Sequence, residues 1–195
     1  MIFNDEDIFK DILIDCDVFR HLHYLGYLSQ VSASLSSNFI MLDVVEAELT
    51  ISERFVSVVS KYVEEGVIFK QNMSIKDINI VTEHFNFLSN NVGAGESACM
   101  SVARFNDNVI GSSNLSDISR YCFQHQISFL TTLDLLFIAV EGGKLNIGQF
   151  NEGVQNLIAG NYRIPNYCYD DYKRENPTLY EVYKLLFESQ VQQDS

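Results

Sequence analysis

Short apolar runs that end on an acid or a hydroxyl, each followed by a helical period, constrain this chain more than any other feature. Residues 11–15 run Asp-Ile-Leu-Ile-Asp, residues 38–42 end just before Asp43, residues 108–112 lead into Ser113 and Asn114, and residues 127–131 lead into Thr132 and Asp134. Runs of this length and composition predict buried strands, and the 3.6-residue periods between them predict helices. Both prolines, Pro165 and Pro177, lie near the end, so regular structure is unbroken by proline before residue 160. This rhythm predicts an α/β fold with a mainly parallel central sheet and helices on both faces, a three-layer α/β/α sandwich.

In detail, helices are expected over 18–30, with Phe19, Leu22, Leu25 and Leu28 on one face, and over 44–62. A short edge strand is expected over 66–70. A helix starting at Ser74, with Asp77 completing a near capping box, should run to residue 88. Further helices are expected over 96–105, with Ala98, Val102 and Phe105 on one face, over 113–124, and over 133–140 before Gly142 and Gly143. Phe123, Phe129, Leu135, Leu136 and Phe137 read as core. Residues 1–147 then form one domain, and 148–195 a C-terminal helical extension packed on it, with two helices around a turn at Pro165.

Composition removes several function classes. The chain has 195 residues, 47% of them hydrophobic, which is enough for a core and unlike disorder. The most apolar window, 127–140, is shorter than the about 20 residues a span requires, so no membrane partner is expected. The first residues carry acids where a secretory leader carries bases. The four cysteines form no C-x-x-C pair and have no His at zinc spacing, which points to a reducing cytoplasm. The sequons at Asn72 and Asn114 carry no meaning there. The segment Gly93 to Ser97 lacks the Lys of a phosphate loop.

The net charge is −13, and residues 1–50 hold nine acids against two bases. Such a balance does not attract nucleic acid at long range. The acids fall at the predicted strand ends: Asp15 and Asp17 after the first, Asp43, Glu46 and Glu48 after the second, Asp134 after the last. Glu96 opens a helix behind a glycine turn. In parallel sheets ligands gather beyond the carboxyl ends of the strands. An all-oxygen set there suits Mg²⁺ or Mn²⁺ rather than zinc. Acids are also favoured at such places as caps and turn formers.

Four short motifs in order resemble the PIN domain, a family of metal-dependent ribonucleases that includes many toxin–antitoxin toxins. Leu13-Ile14-Asp15-Cys16-Asp17 is similar to its opening strand, and Val45-Glu46-Ala47-Glu48-Leu49 to its V-x-x-E-L. Gly95-Glu96-Ser97-Ala98 with Ala103 is similar to its G-E-x-x-A helix, and Leu130 to Leu136 with Gly142-Gly143 to its last strand and helix. The likeness spans residues 10–147. It implies a metal-dependent endoribonuclease with Mg²⁺ or Mn²⁺ held by Asp15, Glu48 and Glu96 as catalytic acids. It also implies an RNA substrate, an antitoxin partner and a homodimer.

The family has one or two Asp directly after its third core strand. This chain has Asn114 there instead, with Asp117 one helical turn on. Asn114, Asp117 and Asp134 are the candidates for a further metal ligand, and Asp117 for a catalytic one. Arg120 and Thr132 are candidate substrate contacts. Arg120 is also placed to pair with the acids. His21 and His23, two apart on a helix, point away from one another and suit the surface or the substrate edge. Asp170, Asp171, Lys173 and Arg174 read as a solvated patch. The neutral Asn114 supports an alternative, a catalytically degenerate PIN-like interaction module. An unrelated α/β protein with merely solvated acids is a third reading.

Overall fold

The structure is a computed structural model that describes residues 5–184. Five strands form one sheet: β1 (Ile12–Ile14), β2 (Phe39–Leu42), β3 (Phe69–Gln71), β4 (Val109–Gly111) and β5 (Phe129–Leu130). Their order is β3-β2-β1-β4-β5, and every neighbouring pair is parallel. In register, Leu13 lies opposite both Ile40 and Ile110. β1, β2 and β4 are buried throughout, as strands covered on both faces must be, and their unalternating Ile, Leu and Val runs reflect this.

The helices are α1 (Cys16–Leu25), α2 (Leu28–Ser32), α3 (Asp43–Thr50), α4 (Arg54–Glu64), α5 (Ile78–Ser89), α6 (Ala94–Asn106), α7 (Leu115–His125), α8 (Thr132–Glu141), α9 (Ile147–Ala159) and α10 (Tyr169–Glu175). A 3-10 turn covers Asp5–Phe9, and residues 177–184 are helical. α6 packs against α3, α5 and α7, while α8 packs against α1, α2 and α9. The result is the expected α/β/α sandwich around a parallel sheet. No helix among the described residues is long and apolar enough to cross a membrane.

Several boundaries differ from the sequence expectation, each for a local reason. The helix expected over 18–30 is broken at Gly26, whose φ of +72° ends α1 and lets its N–H donate to the carbonyls of Leu22 and His23. The helix expected over 44–62 is two helices. A turn at 51–53 separates them, with Ile51 outside the core at 84% exposure, and re-aims the apolar face so that Phe55 and Val59 are buried as well as Val45 and Leu49. Gly66 does not open a strand; it closes the turn after α4 at φ +69°, and β3 begins at Phe69. Asp77, not Ser74, caps α5, accepting from the N–H groups of Asn79 and Ile80.

Phe123, expected in the core, and Phe105, expected on one face with Ala98 and Val102, are at the surface. Phe123 is 76% exposed and Phe105 41%, because the buried faces of α7 and α6 run through Ile118 and Cys122 and through Ala98 and Val102. The C-terminal stretch has three helical segments rather than two, α9, α10 and residues 177–184; residues 185–195 lie outside the described part. α9 buries Phe150, Val154 and Leu157. Phe150 and Phe137 meet the rings of Tyr169 and Tyr172, which joins the last helices to the same core.

Candidate functional site

The strand order reverses between β1 and β4. From β1 the chain builds outward to β3, and from β4 it builds the other way to β5. A crevice at such a reversal, beyond the strands' carboxyl ends, is where parallel sheets place their ligands. Here β1 delivers Asp15 and β4 delivers Ser112, Ser113 and Asn114.

Asp15 is the N-cap of α1. Its Oδ1 accepts from the Cys16 N–H at 2.7 Å and its Oδ2 from the Ser112 hydroxyl at 3.3 Å. It is only 3% exposed. Burial pushes its pKa well up, and the charges of Asp17, Glu96 and Glu48 push in the same direction, against the Cys16 hydrogen bond. Asp17 faces β4 as well, accepting from the Ser113 N–H at 2.8 Å and from the Val18 N–H at 2.6 Å. Burial raises its pKa, opposed by these bonds and by the Arg20 guanidinium.

Glu48, on α3, accepts from the Gly95 N–H at 3.0 Å. Gly95 lies in the first turn of α6, and the reason for a glycine there is spatial. A Cβ at this position would lie 3.0 Å from Asp15 Oδ1 and 3.0 Å from Glu48 Oε2. Glu96 follows directly, where the helix dipole favours an anion. Its pKa is raised to about 7, by burial above all and by Asp117 and Asp17, against a hydrogen bond from Asn114 that lowers it.

These groups line a cavity of about 200 Å³, with Asp15, Cys16, Asp17, Arg20, Glu48, Gly93, Glu96 and Asn114 on its wall. The chemistry of the wall is carboxylate and amide oxygen, suited to a hard divalent cation. As the side chains stand, no three His, Cys, Asp or Glu among the described residues are arranged as a ligand set.

The structure brings together five of the eight residues expected at the site. Asp15, Glu48, Glu96 and Asn114 line the cavity. Asp117, exposed on α7, borders it: its oxygens accept from Asn114 Nδ2 and the Ser116 hydroxyl at 3.0 Å each. The other three stand elsewhere. Asp134 is fully buried, and both its oxygens are taken. Oδ2 accepts from the Thr131 N–H and hydroxyl at 2.7 Å each, closing a capping box on α8, and Oδ1 accepts from the Tyr172 hydroxyl at 2.6 Å. Thr132 is fully buried too, its hydroxyl shared between His21 Nδ1 at 2.8 Å and the Ser113 hydroxyl at 2.9 Å, so it is closed to a substrate. His21 is accordingly buried rather than superficial. Arg120 is exposed on α7 and is not on the cavity wall.

Arg20 is a member of the wall to which the sequence assigns no role, and Asp17, one of the strand-end acids, stands there without having been assigned as a ligand. The signal was present: Asp17 follows Asp15 by two residues, and Arg20 sits one helical turn beyond Asp17. A comparison with protein-family models finds no match to this chain, and a comparison with curated protein sequences finds none either.

Proposed function

We propose that the protein is a metal-dependent endoribonuclease of PIN type, a toxin of a toxin–antitoxin pair or a related RNA-cleaving protein, working in a reducing cytoplasm with its four cysteines free. The observation that carries this reading is the convergence on Gly95. Carboxylates from β1 and from α3 face one point that only a glycine leaves open, beside a third carboxylate on Glu96. Three acids from three elements stand at the switch point of a parallel sheet; burial and the neighbouring acids push the carboxyl of Asp15 well up, and burial with Asp117 and Asp17 pushes that of Glu96 up to about 7, a charge load suited to a bound cation.

Asp15, Glu48 and Glu96 would hold a Mg²⁺ or Mn²⁺ ion, with Asn114 and Asp117 on the remaining side. When bound, such an ion neutralises charge on a phosphodiester and makes water a stronger nucleophile. The chain's own residues do the rest. The backbone N–H groups of Gly95 and Cys16 fix Glu48 and Asp15 in place. Asp17 ties the end of β1 to the β4–α7 turn through the Ser113 N–H, so that Asn114 faces the acids. Arg20 supplies the one positive side chain on the wall, suited to a phosphate oxygen. Glu96, with a pKa near 7, holds or releases a proton close to neutrality.

The neutral amide of Asn114 favours a second reading, an interaction module with the same fold and no cleavage. A thermal-shift titration with Mn²⁺ tests the first. Ligand that binds only the folded state raises stability as RT ln(1 + [L]/Kd). Mn²⁺ should raise Tm in the parent and not in Asp15→Asn. An equal shift in both, or none in either, overturns the metal site.

A further inference from the structure

Arg20 lines a second depression as well as the acid cavity. This neighbouring groove, of about 440 Å³, is walled by Arg20, His23, Tyr24, Arg54, Phe55 and Tyr162. It draws on α1, on the start of α4, and on the loop after α9, three segments remote in sequence. Arg54 lies 4.7 Å from the centre of the Phe55 ring and Arg20 6.0 Å from the same ring, so the two guanidinium groups flank one buried aromatic.

The electrostatics of the groove oppose those of the chain. The net charge is −13, yet neither Arg20 nor Arg54 forms an ion pair among the described residues. Arg104 and Lys70, by contrast, are paired, with Glu83 and Glu46. The positive field is felt locally: after burial, Arg54 and Lys61 push the pKa of His23 down. Aromatic faces are at hand too. Tyr24 is 52% exposed and meets Tyr162 edge-on, with ring centres 5.3 Å apart.

Two guanidinium groups spaced around an aromatic floor, one of them shared with a carboxylate cavity, match one ligand chemistry. We propose that this groove carries the backbone of a single-stranded RNA as it leaves the acid cavity, with Arg20 and Arg54 on neighbouring phosphates and Tyr24 and Tyr162 stacking on the bases. Positive grooves with stacking aromatics hold single strands without reading sequence. The strand therefore runs over α1 and α4, on the side of β1 away from Arg120. The naming of the ligand as RNA rests on the ribonuclease reading; the groove's preference for a polyanion does not.

The test is fluorescence anisotropy of a labelled single-stranded RNA dodecamer in EDTA, where no cleavage occurs, at several salt concentrations. The parent binds. Arg54→Gln weakens binding by about fivefold or more and lowers the slope of log Kd against log salt by about 1, the signature of one lost phosphate contact. Arg54→Lys, which keeps the charge, stays within about twofold of the parent, as a phosphate contact made by point charge allows. Tyr24→Leu weakens binding by about fivefold or more through lost stacking. Lys144→Gln, an exposed lysine away from the groove, binds as the parent does. Circular dichroism melts confirm that each variant is folded. No RNA binding by the parent, or Arg54→Gln binding as Lys144→Gln does, overturns the groove. RNA cleavage by the parent in Mn²⁺ reports separately on the ribonuclease reading. Binding through Arg54 without cleavage sinks that reading alone, and cleavage without Arg54 dependence of binding sinks the groove alone.

Discussion

Asp15 and Glu48 aim carboxylate oxygens at one point in space, the position a Cβ would occupy on Gly95, 3.0 Å from each. One acid comes from the end of the first strand and the other from the helix after the second, 33 residues later in the sequence. Like charges brought together in a half-dry cavity cost stability unless something offsets them. That cost is the basis of the predictions that follow.

Gly95→Ala separates the site from the fold. Alanine gains about 1 kcal/mol in helix propensity over glycine, which offsets the tight contact with the two carboxylates. The variant should melt within about 4 °C of the parent. Its methyl group occupies the point on which the acids converge, so the Mn²⁺ dissociation constant should rise by about tenfold or more, a change of about 1.4 kcal/mol. Calorimetric titration with Mn²⁺ reads this; an unchanged affinity would place the ion elsewhere.

Asp15→Asn should stabilise the metal-free protein. The amide keeps an oxygen for the Cys16 N–H, so the cap on α1 survives, while the buried charge is gone. The sign with pH follows from the raised pKa of Asp15. The folded parent holds that proton more tightly than the unfolded chain, so its contribution is fully present at acid pH and is lost as pH rises through the folded value. The advantage of the variant should therefore grow from acid to alkaline pH, reaching about 1 kcal/mol or more above neutrality. Urea melts at pH 5 and pH 8 measure it. A variant less stable than the parent at both would make Asp15 a structural anchor.

His21 should make the parent acid-sensitive. It is buried, bonded to the Thr132 hydroxyl, and set edge-on to Tyr162 at 4.7 Å. Burial, with a smaller effect of Arg20, lowers its pKa to about 4. The unfolded chain takes up this proton near pH 6.5 and the folded one only near 4, so its neutral burial costs stability as pH falls between those values. The loss over that range is about 2–3 kcal/mol. In His21→Asn that sensitivity is absent, and the stability gap between parent and variant should narrow by this amount between pH 7 and pH 4. A constant gap would mean that the ring is already charged or open to water.

Asn114→Asp tests the neutral position after β4. The amide of Asn114 donates to Asp117 Oδ2 at 3.0 Å and helps restrain the pKa of Glu96. An acid there removes that donor and adds a charge. The metal-free variant should melt about 2–4 °C lower, the equivalent of about 1 kcal/mol in a chain this long. Its Mn²⁺-induced rise in Tm should exceed that of the parent, since added carboxylate charge strengthens cation binding. A smaller rise would mean that the amide itself is the better ligand, or that Asp117 already fills the role.

The sheet was legible because its strands are buried on both faces. Runs such as Ile12 to Ile14 and Phe39 to Leu42 have no other economical place. β3 slipped by several residues because all three of its residues are exposed and its sequence carries no pattern. The breaks at Gly26 and at 51–53 were invisible to periodicity, since apolar spacing continues across them. Asp15, Glu48 and Glu96 were legible as acids at element ends, but Asp134 has the same signature and, like Asp15, serves a helix start, with no oxygen left over. What separates them is Tyr172, 38 residues downstream, which takes the oxygen that Asp134 has left after capping. Arg20 was overlooked because its value lies in what surrounds it, and Arg54, Tyr24 and Tyr162 reach it from other elements only in the fold.

The most direct test of the account is cleavage of a mixed-sequence RNA by the purified parent and by Asp15→Asn, each in EDTA, in Mg²⁺ and in Mn²⁺. The account predicts no cleavage in EDTA, cleavage by the parent in Mn²⁺ that exceeds that in Mg²⁺, and at least about a hundredfold loss in Asp15→Asn, the scale on which loss of a metal-supporting group acts. A parent inert under all three conditions would contradict it, and cleavage by Asp15→Asn equal to that of the parent would show that the acids at Gly95 are not the site.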